Sequence, residues 1–213
     1  MRLTKYQHSC MTLEKNGQLL VIDPGVYTED LPADLRGVVA TVVTHEHPDH
    51  FDPPHLTRLA RANPGMPVIT VAAVADQLPP GVTGQAVESG AQVQAGPYAL
   101  TFYGSTHAQV APGMPAVPCL GVMVDQKLAY AGDAFPAPPQ PPTAVAVPVA
   151  GAWLSGEDVI EYVQTLRAGV AFPVHEALAS ERGLNLLNAA VAGAAEAASL
   201  RWQVLAPGES IEL

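Results

Sequence analysis

The stretch "ATVVTHEHPDHFDPPHL", residues 40–56, places four histidines and two aspartates directly after a run of small and β-branched residues. Nearly continuous apolar residues over 37–44 are typical of a buried strand. Imidazole and carboxylate are the side-chain ligands that suit zinc, manganese and iron. The stretch, which holds four of only seven histidines in the chain, therefore predicts a buried strand that ends in a metal-binding loop.

The spacing His45-x-His47-x-Asp49-His50 within this loop indicates ligands for more than one ion. His45 and His47 are two residues apart in an extended segment, so their side chains point to the same side. Pro48 restricts the backbone of the residue before it, so the side chains of Asp49 and His50 can point in a different direction from those of His45 and His47. One short loop can thus serve two adjacent ions; the alternative, a solvated polar turn, does not account for four ligands at this spacing.

Three further candidate ligands each follow a strand-like run directly. They are His107 in "LTFYGSTHA", Asp133 in "LAYAGDAF" and His175 in "VAFPVHEA". Taken alone, each has an ordinary alternative: a packed or surface histidine, or an aspartate in a turn. Because strand ends deliver side chains to a common edge of a sheet, these positions and the loop at 45–50 can converge.

The charge balance excludes some classes of partner. Ten Lys and Arg against 20 Asp and Glu give a formal net charge of −10. Nucleic-acid binding normally needs a basic surface, and an anionic membrane surface attracts basic rather than acidic proteins. A small-molecule substrate is therefore expected, with no nucleic-acid and no membrane partner.

The ends and the cysteines predict a cytoplasmic protein. "MRLTKYQHSC" lacks the apolar region of a signal peptide, and the longest apolar stretch, near 144–154, is too short to span a bilayer. Cys10 and Cys119 are far apart and have no paired spacing, so no disulfide framework is expected.

Local signals predict a hairpin and a capped helix in the first half. "SCMTLEK" and "QLLVID" are joined by Asn16-Gly17, the dipeptide that tolerates positive φ, which predicts a β-hairpin. Asp52 followed by Pro53 predicts a helix start, and "NPG" at 63–65 its end. His55, in the first turn, is expected to face solvent.

The second half predicts two more helices and a final strand. "SGED" at 155–158 has the form of a capping box and precedes an amphipathic helix that ends near Gly169. An alanine-rich helix runs from about Glu181 to Ser199, and "WQVLA" follows as a strand. The proline-rich segment 135–148 is expected to form a stiff surface loop that could gate the site. No linker separates two halves, so residues 1–213 are expected to form one domain.

Taken together, these motifs resemble the metallo-β-lactamase superfamily. "YQHSC…LLVIDPG", "YAGDAF" and "PVHEALASERGL" are similar to the branch that includes ascorbate-phosphate lactonase and small metal-dependent hydrolases. The resemblance extends from about His8 to Gly183. It implies an α+β fold: an αββα four-layer sandwich of two mixed β-sheets flanked by helices.

The resemblance also implies a role for each candidate. His45, His47 and His107 would hold a first metal; Asp49, His50 and His175 would hold a second; Asp133 would bridge both. Asp49 and Asp133 would be catalytic, with Asp49 also able to accept or relay a proton. Asp23 would orient a metal-bound histidine from behind, the alternative being an aspartate that only caps a turn. His8 would line the pocket or simply pack in the sheet.

The implied function is a lactonase-like hydrolase with two divalent metal ions per chain. Zinc is the expected ion, with manganese or iron as alternatives. A hydroxide between the ions, formed because a bound ion lowers the pKa of water from about 15.7 to roughly 7, would cleave a lactone, ester, thioester or phosphoester bond of a small molecule. The positive site would favour an anionic or electron-rich substrate.

Two alternatives and several questions stay open from the sequence. The same metals could support phosphodiesterase or nuclease activity, or the chain could be a non-catalytic, metal-dependent ligand-binding protein. The physiological substrate, the native metal and the oligomeric state are not readable from one sequence, because loops whose geometry is unknown determine specificity.

Overall fold

A computed structural model describes all 213 residues, which form fourteen strands and four helices. The strands are β1 Arg2–Lys5, β2 Met11–Lys15, β3 Gln18–Ile22, β4 Val38–Val43, β5 Pro67–Thr70, β6 Thr83–Ala86, β7 Gln92–Ala95, β8 Tyr98–Tyr103, β9 Gly121–Val124, β10 Leu128–Tyr130, β11 Ala144–Pro148, β12 Val170–Val174, β13 Arg201–Trp202 and β14 Ser210–Glu212. The helices are α1 Pro53–Ala62, α2 Ala72–Ala75, α3 Gly156–Thr165 and α4 Glu181–Ala197. No helix has the length and apolar character needed to span a lipid bilayer.

The strands form two seven-stranded mixed sheets. The first has the order β14-β1-β2-β3-β4-β5-β6, antiparallel from β14 to β3 and parallel from β3 to β6. The second has the order β13-β12-β11-β10-β9-β8-β7, parallel from β13 to β10 and antiparallel from β10 to β7.

Alternating side chains divide each sheet between an inner and an outer apolar layer. On β3, Leu20 and Ile22 join the core between the sheets, whereas Val21 packs outward with Leu59 of α1. On β11, Ala144 and Ala146 face inward, while Val145 and Val147 pack outward with residues of α3 and α4. This period of two places helices on both outer faces and confirms the predicted αββα sandwich.

Local sequence signals predicted several elements correctly. Asn16 and Gly17 have φ values of 56° and 73°, and they join β2 to β3 as an antiparallel hairpin. The Asp52 side chain caps α1 by accepting the backbone N–H of His55 at 3.1 Å. Ser155 and Asp158 form the predicted capping box of α3, which ends at Thr165, earlier than expected. These features depend on residues within a few positions of each other.

Two expectations about exposure were wrong. Residues 144–148 of the proline-rich segment form β11, a fully buried strand between β10 and β12, and not a surface loop. The prolines concentrate in 136–142, and the small apolar residues that follow fit between both layers of side chains. His55 is buried rather than solvent-facing, because α1 packs against the turn after β3, with His55 Nδ1 3.2 Å from the Pro24 carbonyl oxygen.

The final strand also differs from the prediction. Only Arg201–Trp202 pairs with β12, so most of "WQVLA" is not strand. Instead, Ser210–Glu212 forms β14 and pairs with β1. This pairing joins residues more than 200 positions apart, which no local pattern indicates.

Candidate metal centre

Loops at one edge of the two sheets bring the predicted ligands together. Asp23 follows β3, the 45–50 loop follows β4, Asp133 lies shortly after β10, and His175 follows β12. Two groups of four residues each have ligand atoms within 4.8 Å of one another: His45, His47, His107 and Asp133, and His8, Asp49, His50 and His175. All seven predicted ligands lie in these groups, together with His8. Their role as ligands remains a prediction.

Asp133 lies between the two groups. Its Oδ2 is 3.0 Å from His175 Nε2 and 3.4 Å from His107 Nε2. Its Oδ1 is 3.2 Å from His50 Nε2. The carboxylate therefore faces both groups at once from a buried position, as a bridging ligand would.

The site contains buried polar atoms that have no hydrogen bond. They are His50 Nε2, His107 Nε2, His175 Nε2 and Asp133 Oδ1. They lie close to one another but not in hydrogen-bonding geometry, and each such atom costs roughly 1–3 kcal/mol when nothing satisfies it. Imidazole nitrogens and a carboxylate oxygen gathered in this way are the donor set of a zinc-type cation. The residues present thus fit divalent metal ions.

In three of the histidines, the Nδ1 atom, which lies away from the centre, is hydrogen-bonded to an oxygen acceptor. His50 Nδ1–H donates to Asp23 Oδ2 at 2.7 Å, and the Nδ1–H groups of His107 and His175 donate to the backbone oxygens of Ala108 and Ala150. A neutral ring whose Nδ1 carries the proton presents a free Nε2 lone pair. These three rings are therefore oriented to bind a cation.

Asp23 orients two histidines at once. Its Oδ1 accepts the backbone N–H of Thr44 at 2.8 Å, and its Oδ2 accepts the Thr44 hydroxyl at 2.7 Å as well as His50 Nδ1–H. Because the Thr44 hydroxyl donates its one proton to Asp23, its oxygen accepts Nδ1–H of His45 at 3.0 Å. Asp23 is fully buried and has φ 45°, a strained conformation for a residue with a side chain. The structure thus places Asp23 directly behind His50 and, through Thr44, behind His45.

His47 faces the centre with Nδ1, whereas His50, His107 and His175 face it with Nε2. Its Nδ1 lies 3.1 Å from Nε2 of His45. Because His45 carries its proton on Nδ1, its Nε2 lone pair points at this same space. The first group therefore presents nitrogens of both kinds, Nε2 from His45 and Nδ1 from His47.

His8 differs from the other rings because its Nδ1 accepts a hydrogen bond. The backbone N–H of Ala177 donates to it at 3.2 Å, so a neutral ring must carry its proton on Nε2. Burial lowers the pKa of His8, which keeps the ring neutral. Its Nε2 lies 3.2 Å from Asp49 Oδ2 and therefore donates to that carboxylate. With its proton in this position, His8 has no lone pair left for a metal.

A buried ion pair anchors His8. Lys5 is 1% exposed, and its Nζ pairs with the carboxylate of Glu176 and donates to the Tyr6 carbonyl oxygen. Glu176 Oε1 also accepts the backbone N–H of His8 at 3.2 Å, and the His8 carbonyl oxygen accepts the backbone N–H of His175 at 3.1 Å. Sequence reasoning missed this function of Lys5; its only signal was a lysine on the same strand face as buried Leu3.

The charges in the site are strongly coupled. Burial alone would raise the pKa of Asp49, but the nearby imidazoles of His175, His8 and His50 outweigh it and hold this pKa below its usual range. Burial would lower the pKa of His175, but Asp133 and Asp49 raise it to about 9. Burial, reinforced by the neighbouring His50, lowers the pKa of His45 well below its usual value. The carboxylates of Asp49 and Asp133 therefore favour positive charge in the space among the rings, which otherwise disfavour it on one another.

Comparison with known proteins shows which proteins the chain is similar to. The family described as "Beta-lactamase superfamily domain" matches residues 2–175. Protein Rv0786c of Mycobacterium tuberculosis is 28% identical over 183 residues, which cover 84% of this chain and 85% of that protein. A metal-dependent hydrolase of Aeropyrum pernix is 35% identical over 78 residues, 35% of this chain and 31% of that one.

A solved structure has the same fold. It is Igni18, described as a metallo hydrolase from the hyperthermophilic archaeon Ignicoccus hospitalis. It superimposes with a TM-score of 0.74 at 21% identity, and the alignment covers 99% of this chain and 97% of that one.

Proposed function

The chain belongs to the β-lactamase superfamily domain family, and we propose that it is a dinuclear metal-dependent hydrolase of a small molecule. The bond cleaved is a lactone, ester, thioester or phosphoester, and zinc is the proposed ion. The family match and the hydrolase names of two similar proteins support the reaction class. The residues that converge at the sheet edge support the two-ion site.

The observation that carries this proposal is the position of Asp133. It faces three imidazole nitrogens at 3.0–3.4 Å, drawn from both ligand groups. Each of those nitrogens is buried and has no hydrogen bond. A structural aspartate would accept hydrogen bonds from donors. Asp133 instead faces the Nε2 atoms of three rings whose Nδ1–H groups already donate to other oxygen acceptors.

In the proposed site, His45, His47 and His107 would hold one ion, Asp49, His50 and His175 would hold the other, and Asp133 would serve both. Such ions act as Lewis acids toward a carbonyl or phosphoryl oxygen and make water nucleophilic at neutral pH. Asp23 holds the His50 ring and, through Thr44, the His45 ring in the binding orientation. Asp49, the more exposed of the two carboxylates, would accept or relay the proton that water loses, and His8 fixes its position.

The first prediction concerns Asp133→Asn, which keeps the side-chain shape but removes the charge. We expect wild-type protein to hold two zinc ions per chain by elemental analysis and the variant to hold fewer. We expect hydrolysis to fall by about 100-fold or more, because the bridging charge no longer balances the ions. Asp34→Asn, at an exposed position, is the control and should match wild type.

Two results would overturn this proposal. One is full turnover by Asp133→Asn with two ions still bound. The other is wild-type protein that circular dichroism shows to be folded but that stays free of metal after reconstitution.

A further inference from the structure

The loops around the metal centre contain no basic residue. All ten lysines and arginines lie outside six ranges at this edge of the molecule: 23–31, 44–52, 104–120, 131–142, 149–155 and 175–180. Lys5, which hydrogen-bonds to the last of these loops, is 1% exposed and is paired with Glu176. No free cationic side chain on these loops is available to a substrate.

The same loops carry most of the large apolar residues that are exposed. Seven large apolar residues of the chain are exposed, and five of them lie on these loops, which make up less than a third of the sequence. We call these five residues the apolar rim: Val26, Tyr27, Val110, Met114 and Leu178, which are 41–55% exposed. Exposed apolar residues are usually scattered, and their concentration in one place marks a binding surface.

The apolar rim contacts the metal centre on both sides. The Tyr27 ring lies edge-on to His8, with centroids 5.2 Å apart. Val110 and Met114 line a pocket of about 70 Å³ together with His47 and His107. A group attached to the reacting carbon would therefore meet apolar side chains as it leaves the centre.

The charges on these loops argue against an anionic group on the part of the substrate that lies on the apolar rim. A phosphate or carboxylate taken from water needs a cation or several N–H donors to compensate its lost hydration. The loops offer instead the carboxylates of Glu29, Asp30 and Glu46. The sequence-based expectation of an anionic substrate came from the metal ions alone and took no account of these loops.

We infer that the substrate is an uncharged ester or lactone whose hydrocarbon group lies on the apolar rim. This inference rests on the proposed function and narrows its bond types. In the reaction, the oxygen of one water molecule bonds to the acyl carbon and the acyl C–O bond breaks. The products are the acid and the alcohol, and the alcohol oxygen takes up the proton.

The test compares four p-nitrophenyl esters with the zinc-loaded protein: acetate, valerate, octanoate and the monoester of glutarate. The glutarate monoester matches valerate in length but ends in a carboxylate. Rates are taken as the difference between zinc-loaded and chelator-treated protein. We expect kcat/KM to rise roughly two- to fourfold per added methylene until the rim is covered, and the glutarate monoester to be at least about tenfold slower than valerate.

Substitutions in the apolar rim test whether it causes the dependence of kcat/KM on chain length. Met114→Ser and Val110→Ser should flatten the dependence on chain length, whereas Leu186→Ser, an exposed leucine of α4 outside these loops, should leave it unchanged. Met114→Lys should raise kcat/KM for the glutarate monoester relative to valerate, because it adds the missing cation.

The outcomes separate this inference from the proposed function. Zinc-dependent hydrolysis with no preference for chain length, or with faster cleavage of the glutarate monoester, would overturn the inference and leave the proposed hydrolase standing. No hydrolysis of any ester by protein with two bound zinc ions would count against the proposed function. In that case, calorimetry with acetohydroxamate and octanohydroxamate still decides the inference, which fails if the octanoyl compound binds no more tightly.

Discussion

His8 and His175 look alike in the sequence, but their hydrogen bonds give them different chemistry. Both have left-handed backbones, with φ of 60° and 67°, and their rings are 3.9 Å apart. His175 donates through Nδ1, so its Nε2 is free to bind a cation once the ring is neutral, whereas neutral His8 accepts through Nδ1 and must donate through Nε2. Because the backbone N–H of Ala177 occupies Nδ1 of His8, we expect His8 to position Asp49 and not to bind a metal.

A matched pair of substitutions tests this distinction. His8→Asn and His175→Asn both place a residue that tolerates positive φ at a left-handed position. We expect His8→Asn to keep two zinc ions per chain and to lose about 10- to 100-fold in turnover, the usual effect of removing a group that orients a ligand. His175→Asn should bind fewer than two ions. Equal loss of metal from both variants in elemental analysis would make His8 a ligand.

At the scale of elements, the loop after β3 lies directly on the metal-binding loop after β4. The backbone N–H of Val26 donates to the Pro48 carbonyl oxygen at 2.9 Å. A Cβ atom on Gly25 would come within 2.0 Å of the backbone carbon and oxygen of Asp49. Only glycine allows this approach, which fixes the backbone that carries Asp49 and His50.

Gly25→Ala should therefore force these two loops apart. We expect a loss of about 1–3 kcal/mol in the free energy of unfolding, the usual cost of overpacking, together with weaker zinc binding. Gly193→Ala is the control, because Gly193 lies within α4 and a Cβ there meets nothing within 4 Å. It should stabilise the protein by roughly 0.5–1 kcal/mol. Urea unfolding measures both changes, and a neutral Gly25→Ala would contradict the packing argument.

At the scale of the whole molecule, metal binding should couple to folding. The proposed ligands come from four segments, at 45–50, 107, 133 and 175, which both sheets bring together. In the unfolded chain these segments are far apart, so an ion bound by the native centre stabilises the folded state.

Calorimetric melting at increasing zinc concentration measures this coupling. Free zinc at about 100 times the Kd of one site should add about 2.7 kcal/mol, which raises Tm by about 5–10 °C for a chain of this size. Calcium, which prefers oxygen ligands, is the control and should leave Tm unchanged. A Tm that does not depend on zinc would show that the centre is not occupied in solution.

The sequence by itself determined the features that depend on neighbouring residues or on a dense motif. The Asn16-Gly17 hairpin, the caps at Asp52 and Ser155, and the resemblance that implied the αββα sandwich are of this kind. Turn geometry and capping depend on groups a few positions apart, so their physical causes are visible in the sequence.

The tertiary structure alone decided the features that join distant segments. The bond from Ala177 to His8 spans 169 positions, and the Lys5–Glu176 pair spans 171. The burial of β11 depends on the strands beside it and on the helices packed against it. The chemistry of an imidazole depends on which nitrogen carries the proton, and the partner that decides this comes from another part of the chain. For that reason the ligand types could be read from the sequence, whereas the orientation of the rings required the fold.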